Sequence, residues 1–197
     1  PGSPSVLQAG VDGLENEFLR AAIDPATGWL KSLTDKRLDR DFLSGPANVL
    51  EVIRDEPKAM SAWELGLKET VGRVGETGAR VEVLERGPVR AVVRVRSPFR
   101  HSLFEQEIIL YAGLPRLDCR VRIDWQERNL MVKAAFPAAV RNGAARFEIP
   151  FGSIARPADG SEVPALRWAD LPGSLIGEDP ALKECMLRCS SSRVISA

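Results

Sequence analysis

"HSLFEQEIILYAGLPRLDCRVRIDW" (His101–Trp125) decides the fold. It holds two long stretches of period-two alternation with Gly-Leu-Pro between them at 113–115. In the second stretch Leu117, Cys119, Val121 and Ile123 fall on one face, and Asp118, Arg120, Arg122 and Asp124 on the other. Successive side chains of a strand point to opposite faces, so this pattern is a strand with one apolar and one wet face. The apolar four read as sheet core, with Cys119 acting as a small hydrophobe. The strand ends in charge and an aromatic: Asp124, Trp125, Glu127 and Arg128.

The same alternation runs outward in both directions. Residues 14–24 start a strand, Pro-Ala-Thr-Gly at 25–28 turns it, and 29–36 return, which predicts a hairpin. Further strands are predicted over 48–56, 79–86, 89–97, 131–137 and 145–152, with Gly87-Pro88 as a turn. No convincing long amphipathic helix precedes residue 178. Long strands turned by Gly and Pro predict an all-β chain, a large antiparallel β-sandwich. Arg and Glu at alternate positions keep one face of several strands wet. The expected organisation is a leader over 1–13, whose opening Pro-Gly-Ser reads as a cloning scar, a sandwich over 14–176, and a divergent tail over 177–197. In the tail Asp179 is placed to cap and Pro180 to open a short helix.

Bulk composition narrows the function. The chain has 197 residues, enough to bury a real core. Lys plus Arg and Asp plus Glu both number 27, so the formal charge is zero. That balance argues against a nucleic-acid partner, which calls for an excess of cations. No apolar run approaches the ~20 residues of a membrane span, and no signal peptide is visible. The expected location is cytoplasmic, without membrane or nucleic-acid partners. Three cysteines (Cys119, Cys185 and Cys189) form no disulfide framework, and with His101 the sole histidine a zinc site on this chain is not expected.

Catalytic chemistry is hard to find. His101 reads as an exposed strand-end residue, which leaves no catalytic triad. Asp124 and Glu127 would make a glycosidase-type pair only if the chain bends after the strand, and charges solvating a strand end are the simpler reading. The four tryptophans are Trp29, Trp63, Trp125 and Trp168. Trp29 opens a strand after a turn and reads as core. Trp63 in "SAWE", Trp125 in "DWQER" and Trp168 in "RWAD" each have a carboxylate within two residues. Aromatic faces flanked by charge suit sugar rings, and suit domain interfaces equally. The candidate contact residues are therefore Trp63, Glu64, Trp125, Glu127, Trp168 and Asp170, with no catalytic and no metal-ligating residue.

Residues 14–36, 48–65, 87–95, 106–137, 147–157 and 164–171 together resemble the β-sandwich domain that follows the catalytic domain in α-mannosidases of glycoside hydrolase family 38. The run from Ile108 to Pro137 carries the most specific part. The resemblance implies a supersandwich of the galactose mutarotase-like kind and a parent enzyme that removes α-linked mannose with retention, using zinc. It places the nucleophile and the zinc ligands in a separate N-terminal α/β domain, so no cofactor is expected on this chain. The implied partners are that catalytic domain and mannose-containing glycans. Free-standing carbohydrate-binding module and purely structural domain are the alternatives. The chain departs from the family pattern at Ser61, Glu64, Gln126 and Leu166, and "GSLIGEDPALKECMLRCSSSRVISA" after Pro172 does not follow it.

Overall fold

The computed structural model describes residues 7–60, 64–141, 145–157, 163–175 and 185–190. They form two compact units, one up to Pro137 and one from Ala138 onward. All strand pairs are antiparallel, and no helix occurs among the described residues. The all-β sandwich reading holds.

The first unit contains β1 (Gln8–Gly10), β2 (Gly13–Glu15), β3 (Leu19–Ile23), β4 (Leu30–Asp35), β5 (Arg40–Asp41), β6 (Val49–Asp55), β7 (Leu67–Arg73), β8 (Arg80–Arg86), β9 (Arg90–Phe99), β10 (Ser102–Tyr111), β11 (Leu117–Asp124) and β12 (Leu130–Ala135). They make three sheets, ordered β1-β2-β3-β4-β5, β11-β10-β9-β8 and β12-β6-β7.

Two apolar clusters hold these sheets. The larger joins Leu14, Leu19, Ala21, Ile23 and Leu30 to Ala91, Val93, Val95, Ile108 and Leu110. The inward faces of β9 and β10 thus pack on the hairpin of β3 and β4. Contact there is close: Gly28, in the left-handed region at φ 74, turns that hairpin so near Val95 that a Cβ would collide with its methyl. Only glycine meets both conditions without strain. The smaller cluster is Leu50, Val52, Val74 and Phe104, with Val71, Phe99, Ile123, Trp125, Leu130 and Val132 packed against it. Trp29 is half-buried and donates its indole N–H to the Val74 carbonyl at 2.8 Å.

Three readings of the sequence change. Residues 14–24 are not one strand. The Asn16 side-chain carbonyl accepts the Phe18 and Leu19 N–H groups and turns the chain between β2 and β3, a local competition with the ladder that Asn is suited to. The stretch set apart as a leader contributes β1, paired with β2 from Gln8 opposite Glu15. And β11 is an edge strand, so its apolar row is only partly covered: Leu117 reaches the larger cluster and Ile123 the smaller, Cys119 is half-buried, and Val121 stays 37% exposed.

The opposite face of the β8–β11 sheet carries a cross-strand ion ladder. Arg94 lies among Glu82, Glu105 and Glu107 at 3.3–3.7 Å, Arg96 and Arg122 reach Glu105, and Arg120 reaches Glu107. The Arg96 guanidinium, then the other arginines, hold the Glu105 carboxyl below its ordinary range. Asp35 is the most enclosed carboxylate of these pairs, with a side chain 2% exposed. It accepts from the backbone and guanidinium of Arg37, which hold it below the usual carboxylate range against the opposing effect of burial. A lowered folded-state pKa stabilises above the unfolded value of about 4, and the gain is lost as pH falls through the folded value. Stability is therefore expected to fall below about pH 4, with Asp35→Asn flattening that part of the profile; urea midpoints at stepped pH check it.

The second unit contains β13 (Val140–Arg141), β14 (Ala145–Ile149), β15 (Gly152–Arg156), β16 (Trp168–Leu175) and β17 (Cys185–Ser190). Its order is β13-β16-β14-β15, with β17 also on β16. Asp179 and Pro180, the expected helix start, lie outside the described residues. Cys185–Ser190 is a strand rather than part of a helix, laid along Trp168–Gly173 of β16, whose ladder bonds satisfy its backbone.

Candidate functional site

The tryptophan-and-carboxylate end of β11 is built by two neighbouring turns. The β9–β10 hairpin closes through Arg100 and His101, with Arg100 at φ 53. After Asp124 the chain leaves the ladder and swings to Asn129, at φ 55, before β12 begins. This bend brings Glu127 back to the hairpin. Its carboxylate accepts the His101 N–H at 3.0 Å and the Ser102 hydroxyl at 3.1 Å, and the Ser102 oxygen accepts the Gln126 N–H at 2.9 Å.

Glu127 and the buried Ser102 are thus a clamp between two loops. Asp124 stays exposed and accepts from the Gln126 side-chain amide at 2.7 Å. His101 is exposed, as its strand-end position suggests. The Trp125 ring stands edge-on to Phe104, with centroids 6.1 Å apart and planes at 90°. It is half-buried as a cover over the smaller cluster, leaving part of the indole outward. The local chemistry is that of a braced rim with one partly open aromatic.

Glu64 lies on a different loop of the same unit, exposed with Met60 and Leu65, which are 68% and 60% exposed. Gly66 at the loop's end is fixed by Asp55, which accepts its N–H at 2.7 Å, and by Glu56, whose N–H it accepts at 2.9 Å. Trp63 lies outside the described residues.

Trp168 and Asp170 belong to the second unit, at the start of β16, where Asp170 faces Arg146 and Ala169 faces Phe147 of β14. Trp168 is half-buried and Asp170 is buried. Beside them Arg167 grips Glu148 through its backbone N–H at 2.8 Å and its guanidinium at 3.1 Å. Burial pushes the Glu148 carboxyl up, and these Arg167 contacts outweigh it and hold the group below its ordinary range.

One residue escaped the sequence reading. Phe151, at the tip of the β14–β15 hairpin, is fully exposed and has φ 65. A bulky residue in the left-handed region is a genuine outlier. The signal was present as a phenylalanine between the turn residues Pro150 and Gly152.

Among the described residues no group of three or more His, Cys, Asp and Glu side chains could hold a metal ion. These described residues do not fit a zinc centre.

A family model described as the glycosyl hydrolases family 38 C-terminal domain matches residues 14–177. The chain is 30% identical over 190 residues to alpha-mannosidase 2C1 of Mus musculus, covering 87% of this chain and 18% of that protein. It is 26% identical over 174 residues to alpha-mannosidase G of Dictyostelium discoideum, covering 80% and 16%. The chain thus spans less than a fifth of the length of these relatives. Among solved structures, an alpha-mannosidase from Enterococcus faecalis V583 matches with a TM-score of 0.65 at 15% identity, over 86% of this chain and 23% of that one, a likeness of fold.

Proposed function

The chain belongs to the glycosyl hydrolases family 38 C-terminal domain, and on that premise we propose that it is the non-catalytic β-sandwich portion of an α-mannosidase. Its work is to support a catalytic portion that hydrolyses α-linked mannose, and to contribute a wall beside the sugar. The match to a family model described as a C-terminal domain supports the division of labour.

The observation that carries the supporting role is Phe151. A large apolar side chain, fully exposed and held in an unfavourable backbone region, has the character of an anchor awaiting a pocket. The exposed Met60, Glu64 and Leu65 form a second candidate contact in the other unit. Trp125 and Trp168, half-buried with carboxylates nearby, are the residues to offer a mannose-containing glycan a flat face.

The reading frame upstream of residue 1 tests the reading: it is expected to encode the catalytic α/β domain, and a start codon with no such domain would favour a free-standing binding module. In the protein that such a frame encodes, Phe151→Asp is expected to lower the melting temperature by several degrees, since a buried unpaired charge costs a few kcal/mol. In the isolated chain the same substitution is expected to be neutral to stabilising by up to about 1 kcal/mol, because aspartate tolerates the left-handed region better than phenylalanine. Equal effects in both contexts would remove Phe151 from the interface.

A further inference from the structure

Among the described residues β11 has one ladder neighbour, β10, and its other side is an open edge. Natural sheets blunt such edges with bulges, prolines or charge. The edge strands β7 and β8 both carry register breaks, at Val52/Ile53 and Ile53/Asp55 of the β6–β7 pair and between Val83 and Glu85. Strand β11 has none: its eight residues pair in unbroken register with β10 and contain no proline. What it has is charge, and the order of that charge is informative.

On the ladder face the residues run Arg116, Asp118, Arg120, Arg122, Asp124, with Arg116 just before the strand. A second copy laid antiparallel across a two-fold axis normal to the sheet keeps both faces matched when a residue lies on the axis. With Arg120 on the axis, Arg116 meets Asp124 and Asp118 meets Arg122, twice each. The two Arg120 groups that then approach are each already held by Glu107 of their own chain at 3.2 Å. On the other face Leu117 meets Ile123, and Cys119 meets Val121, covering the apolar row that the single chain leaves partly open. Moving the axis to Val121 sets Arg120 against Arg122 and Asp118 against Asp124. Moving it to Cys119 sets Arg116 against Arg122 and keeps only Asp118 against Arg120, half the opposite-charge contacts of the Arg120 register. Like charges directly opposite oppose pairing, so the sequence favours one register.

We propose that β11 is a self-association edge: two copies of the chain pair antiparallel through Leu117–Asp124 with Arg120 on the axis, making one continuous eight-stranded sheet from two four-stranded ones. The competing occupant is none at all, the charges serving only to keep the edge single. This inference does not depend on the α-mannosidase reading.

A charge swap separates the possibilities. Sedimentation equilibrium of the 197-residue chain between about 1 μM and about 1 mM should show a mass twice 21.6 kDa at the upper end. Asp118→Arg sets arginine against Arg122 in both copies, and Arg122→Asp sets aspartate against Asp118. Each variant alone, with an unchanged far-ultraviolet spectrum, should stay at the single-chain mass. An equimolar mixture restores both opposite-charge pairs and should regain the double mass. A wild-type chain that stays single throughout overturns the proposal. So does a double mass that neither variant reduces, which would put the contact on another surface, and so does a mixture of single-chain variants that fails to reassociate.

Discussion

Asn16→Leu is expected to destabilise the chain by at least about 3 kcal/mol, a large part of the roughly 5–15 kcal/mol that holds a domain folded. Asn16 is fully buried and its side chain makes four hydrogen bonds. The amide donates to the carbonyls of Tyr111 and Leu114 at 2.7 and 2.9 Å, and the side-chain oxygen accepts from Phe18 and Leu19 at 2.8 and 2.7 Å. One side chain thereby ties the β2–β3 turn to the loop between β10 and β11. Leucine has the same branched side-chain skeleton, is bulkier, and leaves buried backbone donors and acceptors without partners, at about 1–3 kcal/mol each. Asn16→Asp makes the point sharper, because it keeps the acceptor and turns the donor end into a carboxylate oxygen facing two carbonyls. Urea unfolding of the three proteins checks this, and a loss below about 1 kcal/mol for leucine would show that the loops do not depend on Asn16.

Phe104→Ala is expected to cost about 3–5 kcal/mol, the usual range for emptying a buried phenylalanine site. Phe104 is fully buried at the centre of the smaller cluster and takes the edge of Trp125. Its loss opens a cavity and removes the surface on which the β11 end rests. A double-mutant cycle with Trp125→Leu should give a coupling of about 0.5–1.5 kcal/mol, the range for an edge-to-face pair. Additive losses would mean that Trp125 does not use the Phe104 contact.

Most of the sheet was legible because alternation is a local signal. Strands β9, β10 and β11 alternate over eight to ten residues and were read almost to their ends. Strand β7, "LKETVGR", is an exposed, broken edge strand with no clean apolar row, so its sequence carries little of its pairing. Strand β17 depends on the neighbour it pairs with, β16, and its own residues do not announce it. The edge position of β11 was invisible for the same reason: alternation shows that one face is apolar, and only the sheet order shows how much of that face is covered.

At the candidate site the sequence placed Trp125 and Glu127 at a strand end, and the structure gives Glu127 the task of clasping the β9–β10 turn. That use needs the bend after Asp124, which the residues permit without dictating. Phe151 was missed because apolar residues in a turn are not by themselves unusual; its positive φ is what marks it.

The proposed role is support for catalysis by another part of an α-mannosidase, with none by this chain itself. Turnover of an aryl α-mannoside by the purified 197-residue chain, with and without added zinc, tests that claim most directly. The account predicts no turnover above the uncatalysed rate in either condition. Zinc-dependent turnover abolished by a chelator and restored by the metal would contradict it.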